Sequence, residues 1–246
     1  MYKKISVLVF LWVFSSLSVL AQKPELTIIT EEWPPYNYQE NGKIKGFSTE
    51  IVQEIIKNLN LKYKIQILPA ARLHSLINEE AYIMSFSLFR TKERENKYKW
   101  IGPISQEAIY FFKKKGNPLN IQTIEDAKKV NLITTLHKSL VYNSLLNQGF
   151  KNIDTSVDSL IIIKKVIKSR VDLGISLTNL GIKYQLGKAN FPLDSLEVTP
   201  VKLLDFSLYI ACSKNIPDKV IHQWQNALDE IKASGTYHKI FNKYMK

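Results

Sequence analysis

YKIQILPAARLHSLINEEAYIMSFS, residues 63–87, contains two apolar runs with a helical pattern between them. Residues 63–68 carry Ile65, Ile67 and Leu68 and stop at Pro69, the pattern of a short strand and its end. Leu73, Leu76 and Ile77 then recur at the spacing of one helix face, and residues 81–87 are apolar again. Two strands joined through a helix form a parallel pair, because a parallel connection must cross back over the sheet, usually as a helix packed on its face.

The pattern extends upstream. Residues 26–29 form an apolar run ended by Thr30-Glu31-Glu32 and the Pro34-Pro35 pair, so a buried strand feeds an irregular loop bearing Trp33, Tyr36 and Tyr38. After a turn at residues 40–42, Phe47, Ile51, Val52, Ile55, Ile56 and Leu59 keep helical spacing. Residues 26–87 are thus β-α-β-α-β, an α/β series whose loops after the strands share one edge of the sheet. Open sheets of this kind bind ligands at that edge, where Trp33, Tyr36, Ser85, Ser87 and Arg94 fall.

Downstream, residues 108–112 predict a further strand ended by Lys113-Lys114-Lys115-Gly116-Asn117-Pro118. A second series follows. Thr123 with Asp126 opens a helix, residues 132–134 form a strand, and another helix starts near Lys138 or Ser139. Residues 157–169 carry Leu160, Ile161, Ile163, Val166 and Ile167, and residues 171–176 are strand-like. Residues 198–204 and 206–211 predict two strands, and Val220, Ile221, Trp224, Leu228 and Ile231 line a helix face before the terminal segment from Gly235. Strands near Ala108 and Phe206 that pass between two lobes predict lobe 1 as 22–107 with 208–246, and lobe 2 as 108–207.

The chain has 246 residues, 45% of them hydrophobic and 23% charged, as expected of a globular protein with a sizeable core. Residues 1–21 differ: Lys3 and Lys4 precede an almost wholly apolar run ending in Val19-Leu20-Ala21, the form of a cleavable signal peptide. That run is shorter than the roughly 20 residues of a membrane-spanning helix. Export to a periplasm is the expectation. Cys212 is the only cysteine, so no internal disulfide forms, and its apolar surroundings predict a buried, inert thiol. No cysteine stands at the cleavage point to carry a lipid. The net charge of +12, or +10 without Lys3 and Lys4, is scattered along the chain, which with export disfavours nucleic acid.

Ser85 to Pro103, SFSLFRTKERENKYKWIGP, gathers hydroxyls, two arginines and a tryptophan past the strand. Arginine offers a planar fork that matches a carboxylate, so the stretch is a candidate anion clamp. In isolation Lys92, Glu93, Arg94 and Glu95 read as a solvated turn.

Three blocks together resemble the family 3 periplasmic solute-binding proteins, the receptors of polar amino acid ABC importers. They are Glu32-Trp33-Pro34-Pro35-Tyr36 with Gly46-Phe47-Ser48-Thr49-Glu50-Ile51; Ser85-Phe86-Ser87 with Thr91-Lys92-Glu93-Arg94; and Tyr209-Ile210-Ala211 through Ala227, Gly235-Thr236-Tyr237 and Lys243-Tyr244. The resemblance covers nearly the whole mature chain and implies the two-lobed periplasmic binding protein fold (type II). It gives Arg94 the grip on the ligand's α-carboxylate, with Ser85, Ser87 and Thr91 beside it, Trp33 and Tyr36 in the pocket, and Arg90 as an extra. The sequence departs from the family where a second-lobe carboxylate would meet the ligand's ammonium. Leu177 stands there, so Glu31 or Glu32 substitutes or the ligand lacks an amine.

Further second-lobe candidates are Thr135, His137, Lys138 and Ser139 at a helix mouth, and Ser176, Thr178 and Asn179 as neutral partners. The alternative for His137 is a surface loop residue, and for Trp33 a core aromatic. The implied protein is a monomeric, non-enzymatic receptor without cofactor or metal, closing on a small anionic or zwitterionic solute and meeting an inner-membrane ABC permease. Two alternatives are a detached sensory domain with a membrane partner and a periplasmic enzyme. For the enzyme the chain offers no Gly-x-Ser-x-Gly, His-Glu-x-x-His or phosphate-loop motif.

Overall fold

A computed structural model of the chain describes residues 26–78 and 82–246. The expected signal peptide lies outside the described residues. The first series comprises β1 (Thr27–Thr30), the hairpin β2 (Tyr38–Glu40) and β3 (Lys43–Lys45), α1 (Phe47–Asn58), β4 (Ile65–Ile67), α2 (Ala70–Asn78) and β5 (Ile83–Phe89). As the β-α-β pattern requires, β1 lies parallel to both β4 and β5, with Ile28 opposite Ile65 on one side and Met84 on the other. α1 buries Phe47, Ile51, Val52, Ile55 and Ile56 against that sheet.

A single turn, α3 (Lys92–Glu95), leads into the long β6 (Lys99–Lys114). The second series is α4 (Ile124–Lys129), β7 (Ile133–Leu136), α5 (Leu140–Asn147), β8 (Ile153–Ser156), α6 (Ser159–Ile167), β9 (Leu173–Gly174) and α7 (Asn179–Lys188). The chain ends with β10 (Leu196–Cys212), α8 (Asp218–Ala233) and α9 (Thr236–Met245). Helix starts follow their capping residues. Thr123 and Asp126 form a reciprocal capping box, while the side chains of Ser139, Asp158 and Thr178 accept from the N–H groups of Tyr142, Ile161 and Gly181.

Eight strands form one mixed sheet in the order β4-β1-β5-β10-β6-β9-β7-β8. β6 and β10 run antiparallel through its centre and join the two series. One core cluster packs Ile28, Phe47, Ile51 and Phe86 of the first series with Leu208, Ile210, Trp224, Leu228 and Ile231 from the end of the chain. Others centre on Phe111, Ile133 and Leu145, and on Phe112, Ile162 and Leu186.

Three strand expectations need correction. Residues 198–204 and 206–211 are one strand, because Asp205 is an exposed ladder position and the irregularity is absorbed by register shifts, not by a turn. The strand expected at 108–112 begins nine residues earlier, at Lys99. Only Leu173 and Gly174 of 171–176 enter the sheet, with Gly174 fitted against the ring of Phe112, where a Cβ would come within 2.5 Å. Cys212 is fully buried and desolvation pushes its thiol far up, consistent with an inert packing residue.

Candidate functional site

The loop after β1 is held by the start of α1. The Phe47 N–H donates to Pro35 O at 2.9 Å, and those of Ser48 and Thr49 donate to Tyr36 O at 2.9 and 3.2 Å. These bonds satisfy the free amides of a helix N-terminus with loop carbonyls, which fixes the rings of Trp33 and Tyr36. Within the loop Trp33 N donates to Asn37 O and Asn37 N to Trp33 O. Asn37 is buried; its amide donates to Glu31 O and its side-chain oxygen accepts from Ser87 Oγ, tying the loop to β5. Ser87 has φ +65°, a left-handed conformation that costs a non-glycine residue about 1–2 kcal/mol and that this bond helps to hold.

Trp33 is the centre of an aromatic group. Its ring lies 4.9 Å from Tyr36, 5.7 Å from Phe89 and 6.4 Å, stacked, from Phe206, and Phe89 meets Phe206 edge-on at 5.2 Å. Phe89 ends the first series and Phe206 lies on a central strand, so the group sits where the two series meet. The Tyr36 hydroxyl crosses between them, 2.7 Å from Thr178 Oγ1 at the start of α7. A second crossing is the Tyr38–Tyr184 ring contact at 5.4 Å.

The two arginines are placed differently. Arg94 is half-buried, its Nη1 donates to Phe89 O at 3.4 Å, and no carboxylate pairs with it among the described residues. Arg90 is exposed and bound at both ends of its fork to Glu95, Nε–Oε2 2.7 Å and Nη2–Oε1 2.5 Å. Its guanidinium lies over Trp100 and Tyr209, in an open cavity of about 590 Å³ that Thr91 also lines. Arg90 and Thr91 therefore belong to a different surface from Trp33.

Of the other candidates, Ser85 is buried with its hydroxyl unpartnered among the described residues, and the same holds for the hydroxyls of Thr135 and Ser176. Glu32 is exposed, its carboxylate accepting from Gln39 N at 3.3 Å. Ser139 Oγ is used locally, donating to Leu136 O and accepting from Tyr142 N. His137 is exposed, and its ring contact is with Tyr142 at 6.1 Å. The structure thus joins Trp33, Tyr36, Ser87 and Thr178 through one network with Arg94 at its edge; Thr91 meets that edge through its backbone, accepting from Arg94 N at 3.0 Å, and among the described residues no hydrogen bond or ring contact ties the side chains of Glu32, Arg90, His137 or Ser139 to it.

Sequence reasoning missed Asn37, Phe89, Phe206 and above all Glu107. Glu107 lies on β6 opposite Phe206, so both side chains leave the same face. Ser105 Oγ donates to its Oε1 at 2.5 Å, and the Tyr36 phenol is a further hydrogen-bond partner. Burial pushes the Glu107 carboxyl above its usual range, against the lowering effect of these two bonds. Tyr36 is raised well above its ordinary value by burial first and the Glu107 charge second, and Tyr237 is pushed up to about 12 by the same two causes. The signal was a lone acid in the apolar run ISQEAIYFF, residues 104–112.

The raised Glu107 pKa fixes the sign of a pH effect. Its contribution to stability is present below the unfolded value, about 4.3, and is lost as pH rises through the folded one. The melting temperature of Glu107→Gln minus that of the parent is therefore expected to increase from pH 4 to pH 8. A constant difference across thermal melts in that range would contradict the assignment.

Two α/β series joined through long central strands, with aromatic and hydroxyl groups meeting between them, define a two-lobed binding protein. The fold is that of the type II periplasmic binding proteins. An ancestral cationic amino acid solute-binding protein superposes with a TM-score of 0.74 at 20% identity, covering 90% of this chain and 95% of that one. The chain matches the bacterial extracellular solute-binding proteins, family 3, over residues 26–246, and it belongs to that family. Its relatives include the probable amino-acid-binding protein YxeM of Bacillus subtilis (strain 168), 26% identical over 213 residues that span 85% of this chain and 79% of the relative. The L-cystine-binding protein TcyJ of Escherichia coli (strain K12) is 25% identical over 218 residues, 86% of this chain and 79% of TcyJ.

Proposed function

We propose that this protein is a periplasmic receptor that captures a small carboxylate-bearing solute, an amino acid or a related compound, and delivers it to an ABC importer. The family match over residues 26–246 carries the reading, and the relatives YxeM and TcyJ are binding proteins by name. The lobes are residues 22–107 with 208–246, and 108–207, turning about β6 and β10. Arg94 takes the ligand's carboxylate; a half-buried guanidinium without a carboxylate partner among the described residues is suited to accept one. Trp33 supplies an apolar wall, and the unpartnered hydroxyls of Ser85 and Ser176 supply hydrogen bonds. Tyr36 and Thr178 close the lobes against each other, a contact that breaks when they part.

Isothermal calorimetry and thermal shift against a panel of amino acids and small carboxylic acids test the reading. At least one member is expected to bind and to raise the melting temperature. If none does, the receptor assignment fails. Ligand-dependent capture of an importer permease, as opposed to a membrane kinase, tests the delivery step.

A further inference from the structure

We infer that Glu107 is the recognition group for a cationic ammonium on the ligand, held against the aromatic faces of Trp33, Tyr36 and Phe206. This inference rests on the receptor reading and deepens it. Leu177, at the position where the family resemblance calls for an acid, has an apolar side chain packed with the second-lobe core. Glu32 is exposed, its carboxylate accepting from Gln39 N. Glu107 is the acid that stands among the aromatic group.

Two observations, read with the chemistry of carboxylates, point to a cation. Glu107 is half-buried, yet no Lys or Arg pairs with it among the described residues; its partners are the neutral hydroxyls of Ser105 and Tyr36. A desolvated carboxylate held by neutral donors is costly to keep, and a cation arriving beside it relieves that cost. A carboxylate accepts at about four lone-pair sites, so two hydroxyl donors leave capacity for an ammonium. Glu107 and Phe206 leave the same face of the paired central strands, and Phe206 stacks on Trp33, so the acid and the aromatic group share that face. Acid and aromatic faces together form the electrostatic environment that binds ammonium groups.

The position also suits closure. Tyr36 bonds both Glu107, on a central strand, and Thr178, at the start of α7. An ammonium reaching Glu107 enters the same hydrogen-bonded group that ties the two series together. Recognition of the amine and apposition of the lobes thereby share one set of atoms.

The test compares L-amino acids with their des-amino carboxylic acids, such as L-phenylalanine with 3-phenylpropanoate and L-glutamate with glutarate, by calorimetry on the parent, Glu107→Gln and Glu107→Asp. Glutamine retains the size and can still meet Ser105 and Tyr36, and thermal melts verify that both variants fold. The parent is expected to prefer the amine-bearing member of a pair. Glu107→Gln is expected to lose about 30-fold or more in affinity for it, as when one member of a buried charge pair is removed, while keeping its affinity for the des-amino acid. Glu107→Asp, which restores the charge, is expected to recover part of the loss. Equal amine affinity in the parent and Glu107→Gln, or a parent that binds des-amino acids as tightly as amines, overturns the cation subsite and leaves the receptor reading standing. A parent that binds no member overturns the receptor reading, and the subsite falls with it.

Discussion

Arg94→Ala is expected to weaken solute binding by about 30-fold to 1,000-fold, while Arg90→Ala changes it by less than about fivefold. The contrast follows from what each fork already holds. Arg90 is exposed, engages Glu95 with two nitrogens, and lies 5.8 and 5.5 Å from the rings of Trp100 and Tyr209. Its interactions are complete without a ligand. Exposed pairs of this kind are worth about 0.2–1 kcal/mol, so its loss is a small local change. Arg94 is half-buried beside Phe89, whose ring touches Trp33, and no acid neutralises it among the described residues. Removing it leaves a ligand carboxylate desolvated and unpaired, which costs several times more than an exposed contact. Arg94→Lys keeps the charge without the fork and is expected to fall between the two. Calorimetry with a panel member that binds the parent provides the measurement; equal losses in the two alanine variants would contradict the assignment.

What the sequence made legible was periodic. Leu73, Leu76 and Ile77 announced α2, and Phe47, Ile51, Val52 and Ile55 announced α1, because each series must bury one face. The parallel pairing of β1 with β4 and β5 followed from their alternation with helices. Capping chemistry was equally visible, in Thr123 with Asp126 and in Ser139. α7 was not visible. Gly181 and Gly187 interrupt its apolar pattern, and its start is set by Thr178, whose hydroxyl is shared with Tyr36, 142 positions away. Long-range pairing also hid the site's acid. The one local sign of Glu107 is that it is a lone acid in an apolar run, and its partners come only when β10 brings Phe206 opposite it and Tyr36 folds back onto it. The separation of Arg90 from Arg94 has the same origin, because four residues of α3 turn the two side chains to different surroundings. Periodicity records which face is buried, whereas a site between two lobes depends on pairings between distant parts of the chain.

Gly46→Ala is expected to destabilise the protein by about 3 kcal/mol or more and to impair binding as well, through one displacement. Gly46 precedes α1 with φ +123°, a conformation that side-chain-bearing residues rarely adopt. A Cβ there would lie 2.3 Å from Tyr36 O, 2.5 Å from Tyr36 C and 2.7 Å from Asn37 N, all backbone atoms that no rotamer change can move aside. The loop would have to retreat. Tyr36 O is the acceptor for Ser48 N and Thr49 N, so retreat uncaps α1; Asn37 would be pulled from Ser87, and Trp33 from Phe206. At roughly 2–4 °C per kcal/mol for a chain of this size, the melting temperature is expected to fall by about 6–12 °C. Gly149→Ala is the control for backbone strain alone, since Gly149 has φ +81° with nothing within 4 Å of its added Cβ. It is expected to cost about 1–2 kcal/mol and to leave binding intact. If the two variants melt together, the close approach of Gly46 to Tyr36 is not what holds the Trp33 loop in place. If Gly46→Ala melts lower and binds less, the same contact that starts the first helix also positions the aromatic wall of the site.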